Sequence, residues 1–208
     1  MSHTAGKVLT RLRSTGRKLL TAPLNALALW ANRVRTGDGV RIRGYLRVLN
    51  RGTLRIGTNA VITSSGGVNP VGGRSRTFLY VGPGATLDIG NNAGISNAVV
   101  YAQREIRIGE DVLLGGGVQV YDSDFHALAY DQRMQRPDTN VRTAPVHIQR
   151  GCFVGAGAII LKGVTIGEYS IIGAGSVVTK NVPPGEIWAG NPARSIGKAP
   201  TTTASLAS

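Results

Sequence analysis

The sequence IQRGCFVGAGAIILKGVTIGEYSIIGAGSVVTKNV, residues 148–182, repeats with a period of six residues. An aliphatic residue opens each unit, and a small or medium residue follows four places later. The aliphatic positions are Ile148, Val154, Ile160, Ile166, Ile172 and Val178, and the small or medium ones are Cys152, Ala158, Val164, Ser170, Ser176 and Val182. On a helix, a six-residue step rotates each aliphatic side chain by about 240°, whereas even offsets keep one face of a strand. The repeat therefore predicts short strands with one buried face.

A single six-residue unit cannot bury its aliphatic residue alone, so neighbouring units must stack on one another. We predict a parallel β-helix with three walls and one unit per wall, or about eighteen residues per coil. The composition agrees, because 29 of the 208 residues are glycine and only 5% are aromatic, which suits a narrow core with tight corners. Residues 63–76 carry no repeat and predict a Gly/Ser loop that bulges from a corner.

The stretch from Pro145 to Arg194, which contains IIGAGSVVTK and WAGNPAR, resembles the C-terminal half of the hexapeptide-repeat acyltransferases. That family includes galactoside, maltose and polysaccharide O-acetyltransferases. With weaker repeats upstream, the resemblance covers residues 37–198 and implies an all-β domain, a left-handed parallel β-helix. We expect about five to six coils, followed by a flexible tail at residues 199–208.

Basic charge is concentrated at the N-terminus, where residues 1–50 hold ten Lys or Arg and a single acid, Asp38. We predict that residues 1–36 form a basic amphipathic extension of two helices, Val8–Leu20 and Leu24–Val34, broken by Pro23. The extension would either dock on an anionic membrane surface or pack on the end of the β-helix. Aromatic residues do not interleave with the basic ones and no nucleic-acid motif is present, so we expect no nucleic-acid partner.

Membrane spanning and secretion are both disfavoured by the sequence. The uncharged stretch Leu19–Ala31 has 13 residues, fewer than the ~20 that a span needs. The single cysteine, Cys152, excludes an intramolecular disulfide, and its place in the repeat predicts a buried thiol rather than a nucleophile. We therefore expect a cytoplasmic protein, peripheral on the inner membrane face if the extension binds lipid.

The repeat stops for 25 residues, 121–145, and this interruption contains His126 in the segment DSDFH. A loop of this length inside a compact repeat is usually either functional or disordered. The segment resembles the histidine-bearing arm of the polysaccharide O-acetyltransferase branch, which implies that His126 is the catalytic base. An alcohol must lose its proton as it attacks a thioester, and a neutral imidazole suits that task near pH 7. Asp122 and Asp124 either orient the ring and contact the substrate or cap a turn, and both interpretations stay open.

The other histidines receive no catalytic role. His147 precedes the inward Ile148 by one residue, so its ring should point outward and be structural or line a cleft. His3 lies in the N-terminal segment. The related γ-class carbonic anhydrases need three histidines around one metal, and only two lie in the repeat, so we expect no metal site.

The resemblance implies further site residues. Asn97, in GISNAVV, matches the position of a substrate-binding asparagine in sugar-acetylating relatives, although a corner asparagine in a left-handed turn is an equal alternative. Acetyl-CoA would lie in the groove between neighbouring subunits of a homotrimer. The corresponding positions are Phe153, Ala156, Ala174, Thr179, Lys180 and Arg194. Phe153 departs from the galactoside branch, which has tryptophan there.

We therefore predict an O-acetyltransferase that moves an acetyl group from acetyl-CoA directly to a hydroxyl of a saccharide or a lipid-linked glycoconjugate. Two alternatives remain. The acceptor could be an amino sugar, serine or an antibiotic, or the protein could be a non-catalytic trimeric scaffold.

Overall fold

The strands form three parallel sheets, walls A, B and C, which the chain visits in that order once per coil. The computed structural model describes residues 21–71, 73, 75–135, 137, 138 and 140–200. The first three coils contain β1 (Arg35–Thr36), β2 (Arg41–Gly44), β3 (Arg47–Asn50), β4 (Thr53–Ile56), β5 (Val61–Ser64), β6 (Phe78–Val81), β7 (Thr86–Ile89), β8 (Gly94–Ser96) and β9 (Val99–Ala102). The next three contain β10 (Glu105–Ile108), β11 (Leu113–Leu114), β12 (Gln119–Tyr121), β13 (Val146–Ile148), β14 (Phe153–Val154), β15 (Ile159–Ile160), β16 (Thr165–Ile166), β17 (Ile171–Ile172) and β18 (Val177–Val178). This gives six complete coils, the upper end of the predicted five to six.

A partial seventh coil ends the prism. Val182 forms an isolated bridge with Ile166 on wall A. On wall B, β19 (Glu186–Gly190) pairs with β17, and β20 (Ala193–Lys198) turns back antiparallel to β19. An antiparallel hairpin therefore closes the C-terminal edge of wall B.

The register confirms the eighteen-residue coil. Ile148 pairs with Ile166, Val154 with Ile172 and Ile160 with Val178. All six repeat aliphatics and the small residues between them are buried in one continuous core. At the corners between walls A and B, one residue per coil takes a left-handed conformation, for example Asn59 at φ 58° and Asn92 at φ 56°, because the chain must turn sharply there.

Two segments leave the prism at corners. Residues 65–77 join walls B and C in the second coil and form the predicted Gly/Ser loop, which starts after Ser64 because β5 continues to that residue. The longer insertion, predicted as residues 121–145, leaves the fourth coil between walls C and A after Tyr121, which is the last residue of β12. It contains the short helix α2 (Tyr130–Arg133), in which no residue is buried.

The N-terminal extension is helical over residues 21–31, a helix that we call α1. Its Asn25 side chain donates to the Gly44 carbonyl at 2.8 Å and accepts from the Leu46 amide at 3.0 Å. Asn32 accepts from the Asn50 amide at 3.0 Å, and Leu29 packs on the core. α1 thus crosses the end of the first coil from one corner to the next.

This placement agrees with one of the two predicted roles of the extension and corrects a detail. α1 includes Pro23, so the predicted break there is wrong; the anchors at Asn25 and Leu29 hold this segment helical. The predicted helix Val8–Leu20 and the tail from residue 201 lie outside the described residues. Within the described part of the chain, no helix has the length and apolar character needed to cross a membrane.

Candidate active site

The loop of residues 121–145 is tied at its stem to the fourth coil. Ser123 and Thr143 form an isolated antiparallel bridge, and the Asp124 amide donates to the Arg142 carbonyl at 3.0 Å. The Ala144 carbonyl then accepts from the Gly163 amide of the next coil at 3.1 Å. The loop therefore leaves and re-enters the prism at one defined point on the corner between walls C and A.

Asp122 holds this corner together. Its side chain is fully buried, and its two oxygens accept backbone hydrogen bonds from Gln103 at 2.7 Å, Arg104 at 2.7 Å and Glu105 at 2.8 Å. A buried carboxylate with three amide donors cannot touch a substrate in this chain. The expectation that Asp122 orients the histidine or contacts the substrate is thus corrected, and its other predicted role, capping a turn, is the one that the structure shows.

Asp138, which the sequence did not single out, is the partner of His126. The ring Nδ1 lies 2.9 Å from Oδ2 of Asp138, and the carboxylate also receives the Ala127 amide at 3.3 Å. Asp138 is mostly shielded, whereas the His126 side chain is 68% exposed. One ring nitrogen is therefore fixed by a carboxylate while the rest of the ring faces outward.

Phe125, the residue before His126, is held in a defined position. It adopts φ 64°, and its amide donates to the Ser123 hydroxyl at 3.0 Å. Its ring packs 5.0 Å from the Tyr101 ring and 5.1 Å from the Tyr121 ring on wall C. These contacts clamp the chain immediately before His126 onto wall C.

Asp124 contacts Lys162 rather than His126. Its Oδ1 lies 2.8 Å from the Lys162 ammonium, which comes from the next coil at the same corner. Its Oδ2 is buried and has no hydrogen-bond partner among the described residues. Asp124 therefore links the loop to the coil beside it and does not orient the ring of His126.

Asn97 is committed to the Gly/Ser loop. It has φ 47° and is buried; its side-chain oxygen accepts from the Ser65 amide at 2.9 Å, and its nitrogen donates to the Asn69 carbonyl at 2.9 Å. Asn97 is therefore a corner asparagine in a left-handed turn, the second of its two predicted roles. Its buried side chain is not accessible to an acceptor in this chain.

The six predicted donor-site residues do not meet within one chain. Ala156 and Ala174 lie at the corner between walls B and C, after β14 and β17. Thr179 and Lys180 follow β18, at the corner between walls C and A that also carries the loop. Phe153, on β14, and Arg194, on β20, are both exposed. Within one chain, the six predicted donor-site residues therefore lie at two different corners and on wall B.

His147 and Cys152 take the structural roles predicted for them. His147 points outward from wall A and lies 2.6 Å from Oε1 of Glu105, and this hydrogen bond lowers the pKa of Glu105. Cys152 is fully buried, which raises the pKa of its thiol to about 11, and its sulfur donates to the Gly167 carbonyl at 3.0 Å. Among the described residues, no group of three or more His, Cys, Asp or Glu is placed to hold a metal ion.

Known proteins resemble this chain in sequence and in fold. A profile described as bacterial transferase hexapeptide (six repeats) matches residues 145–180. Nodulation protein L of Rhizobium meliloti is 33% identical over 179 residues, 86% of this chain and 88% of that protein. A protein of Schizosaccharomyces pombe, provisionally named an acetyltransferase, is 43% identical over 93 residues, which are 45% of this chain and 43% of that protein.

The chain therefore spans less than half of the yeast relative. Among solved structures, a hexapeptide-repeat acetyltransferase of Vibrio cholerae in complex with acetyl coenzyme A superposes with a TM-score of 0.59 at 24% identity. That superposition covers 97% of this chain and 93% of the other. The fold is thus a left-handed β-helix of hexapeptide repeats, as predicted.

Proposed function

The chain belongs to the hexapeptide-repeat acyltransferase family, and on that premise we propose that it transfers an acetyl group from acetyl-CoA to a hydroxyl of a saccharide or glycoconjugate. The observation that carries the proposal is the pair of His126 and Asp138, held at 2.9 Å on a loop inserted between the fourth and fifth coils. A histidine with one nitrogen fixed by a carboxylate and the other free has the geometry of a general base.

The chemistry follows from this orientation. With its proton on Nδ1, His126 donates to Asp138, and Nε2 carries the lone pair. Nε2 takes the proton of the acceptor hydroxyl while the hydroxyl oxygen attacks the thioester carbonyl carbon. The carbon–sulfur bond then breaks, and the departing thiolate takes the proton from the imidazolium, so that an acetyl ester and free coenzyme A result. Backbone amides of the coil groove stabilise the negative oxygen that forms in between.

A homotrimer completes the site in this proposal. Wall A carries polar residues outward, such as Arg107, His147 and Thr165. Wall B instead carries a ladder of outward apolar residues in register, which are Leu113, Phe153, Ile171 and Ile187. Leu113 is 52% exposed and Phe153 is 45% exposed, so a neighbouring chain has apolar surface to cover.

The same arrangement brings the divided donor residues together. One chain supplies His126 with Thr179 and Lys180 from the corner between walls C and A. Its neighbour supplies Ala156, Ala174 and Phe153. The small alanines let the pantetheine arm approach the backbone, and Lys180 and Arg194 meet phosphate groups. The exposed His126 ring would then lie in a groove between two chains rather than in open water.

The acceptor class rests on the likeness of DSDFH to the polysaccharide O-acetyltransferase branch. We place the reaction in the cytoplasm, with residues 1–36 directed towards the inner membrane face, where a lipid-linked glycan is a fitting acceptor. Amino sugars, serine and antibiotics are the competing acceptors, because they would use the same donor groove.

Release of free thiol from acetyl-CoA, measured against a panel of saccharides, amino sugars and serine, tests the proposal. We expect release with saccharides. Thiol release with amino sugars or serine alone would contradict a saccharide hydroxyl as the acceptor. Absence of thiol release with every acceptor would support the non-catalytic scaffold. Light scattering on the active protein should give the mass of a trimer, and a monomeric mass would contradict the shared site.

A further inference from the structure

α1 presents an apolar face to solvent. Its anchoring residues Asn25 and Leu29 point to the β-helix, and at 100° per residue the opposite face carries Leu24, Leu27 and Trp30. These side chains are 51%, 57% and 78% exposed. Residues 21–32 contain no charged residue. A surface helix of a globular protein ordinarily turns a polar face to water, so this helix has an unpartnered apolar face.

Arginines surround the same end of the prism on all three walls. Arg33 and Arg35 follow α1 towards wall A, Arg41 and Arg43 lie on β2 of wall B, Arg47 lies on β3 of wall C, and Arg51 follows β3. All six are exposed, and Asp38 is the single acid among residues 33–52. Residues 1–20 add five Lys or Arg and no acid.

These arginines differ from three arginines in later coils. None of the six forms an ion pair among the described residues. Arg55, Arg107 and Arg150, in later coils, each pair with a carboxylate at 2.9 to 3.2 Å. Positive charge at the first coil is therefore left for an external anion, and it surrounds an apolar face on the same end.

We propose that this end of the β-helix docks on an anionic lipid bilayer, with α1 lying in the interface and the arginines around it contacting lipid headgroups. Apolar insertion together with basic residues is what an interfacial helix needs, and tryptophan is enriched at that depth. The charge argues against a second copy of this end as the occupant, because two such ends would repel each other. Rotational symmetry points all three ends of a trimer to one side, so three contacts add avidity.

The orientation sets the height of the proposed active site, and this step rests on the proposed function. The loop of His126 leaves the fourth coil, three coils beyond the first, or about 15 Å at about 4.8 Å per coil. Because α1 itself lies among the lipid headgroups, the site stands roughly 15 Å above them. A lipid headgroup cannot reach that height, whereas an extended glycan on a lipid carrier can. The orientation therefore favours a distal sugar of a lipid-linked oligosaccharide.

Flotation of the full chain with vesicles tests the docking. The wild-type protein should float with vesicles of 3:1 phosphatidylcholine and phosphatidylglycerol at low salt, and should not float with phosphatidylcholine alone or at high salt. The double variant Leu27→Asp with Trp30→Asp should lose at least tenfold in binding. Because both side chains are exposed, its melting temperature should not change. Tyr169→Asp, on an exposed aromatic residue at the corner between walls A and B in the sixth coil, should bind like the wild type.

The charge contribution needs a matched pair of variants. Arg41→Gln with Arg43→Gln should weaken binding roughly 30-fold at low salt, and Arg107→Gln with Arg150→Gln should leave it nearly unchanged. Vesicle binding by the Leu27 and Trp30 double variant equal to wild type would overturn the proposal. A wild-type protein that does not bind anionic vesicles would also overturn it. So would a double variant with a lower mass than the wild type in the absence of lipid, because α1 would then be a contact between chains. Thiol release with a soluble saccharide should be equal in all these variants, so failure of docking and failure of catalysis are distinguishable.

Discussion

Side chains are held differently in the fifth and sixth coils and in the loop of residues 121–145: by burial in the coils and by few contacts in the loop. In the coils, Ile160, Ile166 and Ile172 are fully buried, and each is packed above and below by residues of equivalent position. In the loop, the His126 side chain is 68% exposed, and its ring is held by a single hydrogen bond to Asp138. The coils thus supply stability, and the proposed function assigns the chemistry to the loop, so substitutions in the two regions should affect different measurements.

The largest effect is expected in the loop. His126→Ala should lower kcat by roughly 10² to 10⁴ because it removes the proposed general base, while the affinity for acetyl-CoA and the melting temperature stay unchanged. Steady-state kinetics and acetyl-CoA titration check this. His147→Ala is the matched control on wall A, and equal losses in the two folded variants would show that the base is wrongly assigned.

The converse effect is expected in the coils. Ile166→Ala should lower the free energy of unfolding by about 2–5 kcal/mol, since it opens a cavity in the narrow core. Denaturant unfolding measures it, and kcat at a temperature where the variant is folded should stay near wild type. A fall in kcat as large as that of His126→Ala would mean that the coils do more than support the site.

Asp138→Asn tests the contact that joins the loop to its own histidine. A hydrogen bond to a charged group contributes about 1.5–3 kcal/mol, so kcat should fall roughly 10- to 100-fold with an unchanged KM for acetyl-CoA. Asp138→Glu should restore part of the loss, which a merely structural role would not predict. Asp131→Asn, on α2 of the same loop, is the control and should have little effect. An Asp138→Asn enzyme as active as wild type would exclude this carboxylate from positioning His126.

The smallest effect concerns the pair of Glu105 and His147 on wall A. The hydrogen bond from His147 lowers the pKa of Glu105 below its ordinary 4.5, so the ionised carboxylate stabilises the fold above that pH and this contribution is lost as pH falls through the lowered value. Glu105→Gln should therefore lower Tm by about 2–4 °C at pH 7 and progressively less below pH 4.5. In a His147→Ala background the effect of the substitution should shrink to the smaller contribution of the ion pair between Glu105 and Arg107. A loss of Tm that is constant from pH 7 to pH 3 would contradict the pairing.

The two regions also differ in what their sequences reveal. The six-residue period predicts the strands, the coil length and the burial of Cys152, because in stacked coils the position in the repeat determines the side-chain direction. It also predicts where the loop begins and ends, since the period fails there. The resemblance adds the hand of the coil, which the period alone does not contain.

Contacts inside the loop are not periodic, so no such rule applies to them. His126 and Asp138 are twelve residues apart in a segment without a repeat, and nearer carboxylates at Asp122 and Asp124 were the natural candidates. Asp122 is instead used by three backbone amides of the preceding coil, a contact that depends on how the coils stack. Asn97 is likewise committed to a loop whose path the sequence does not specify. The predicted donor residues lie at two different corners, and only the order of strands in the three sheets shows this.

The chemical nature of the product tests the central claim most directly. Wild-type protein, labelled acetyl-CoA and a saccharide acceptor should give a labelled saccharide whose acetyl group is released by mild alkali, as an ester requires. His126→Ala at the same acetyl-CoA occupancy should give almost none. An alkali-stable amide, or equal ester formation by the two proteins, would contradict hydroxyl acetylation with His126 as the base.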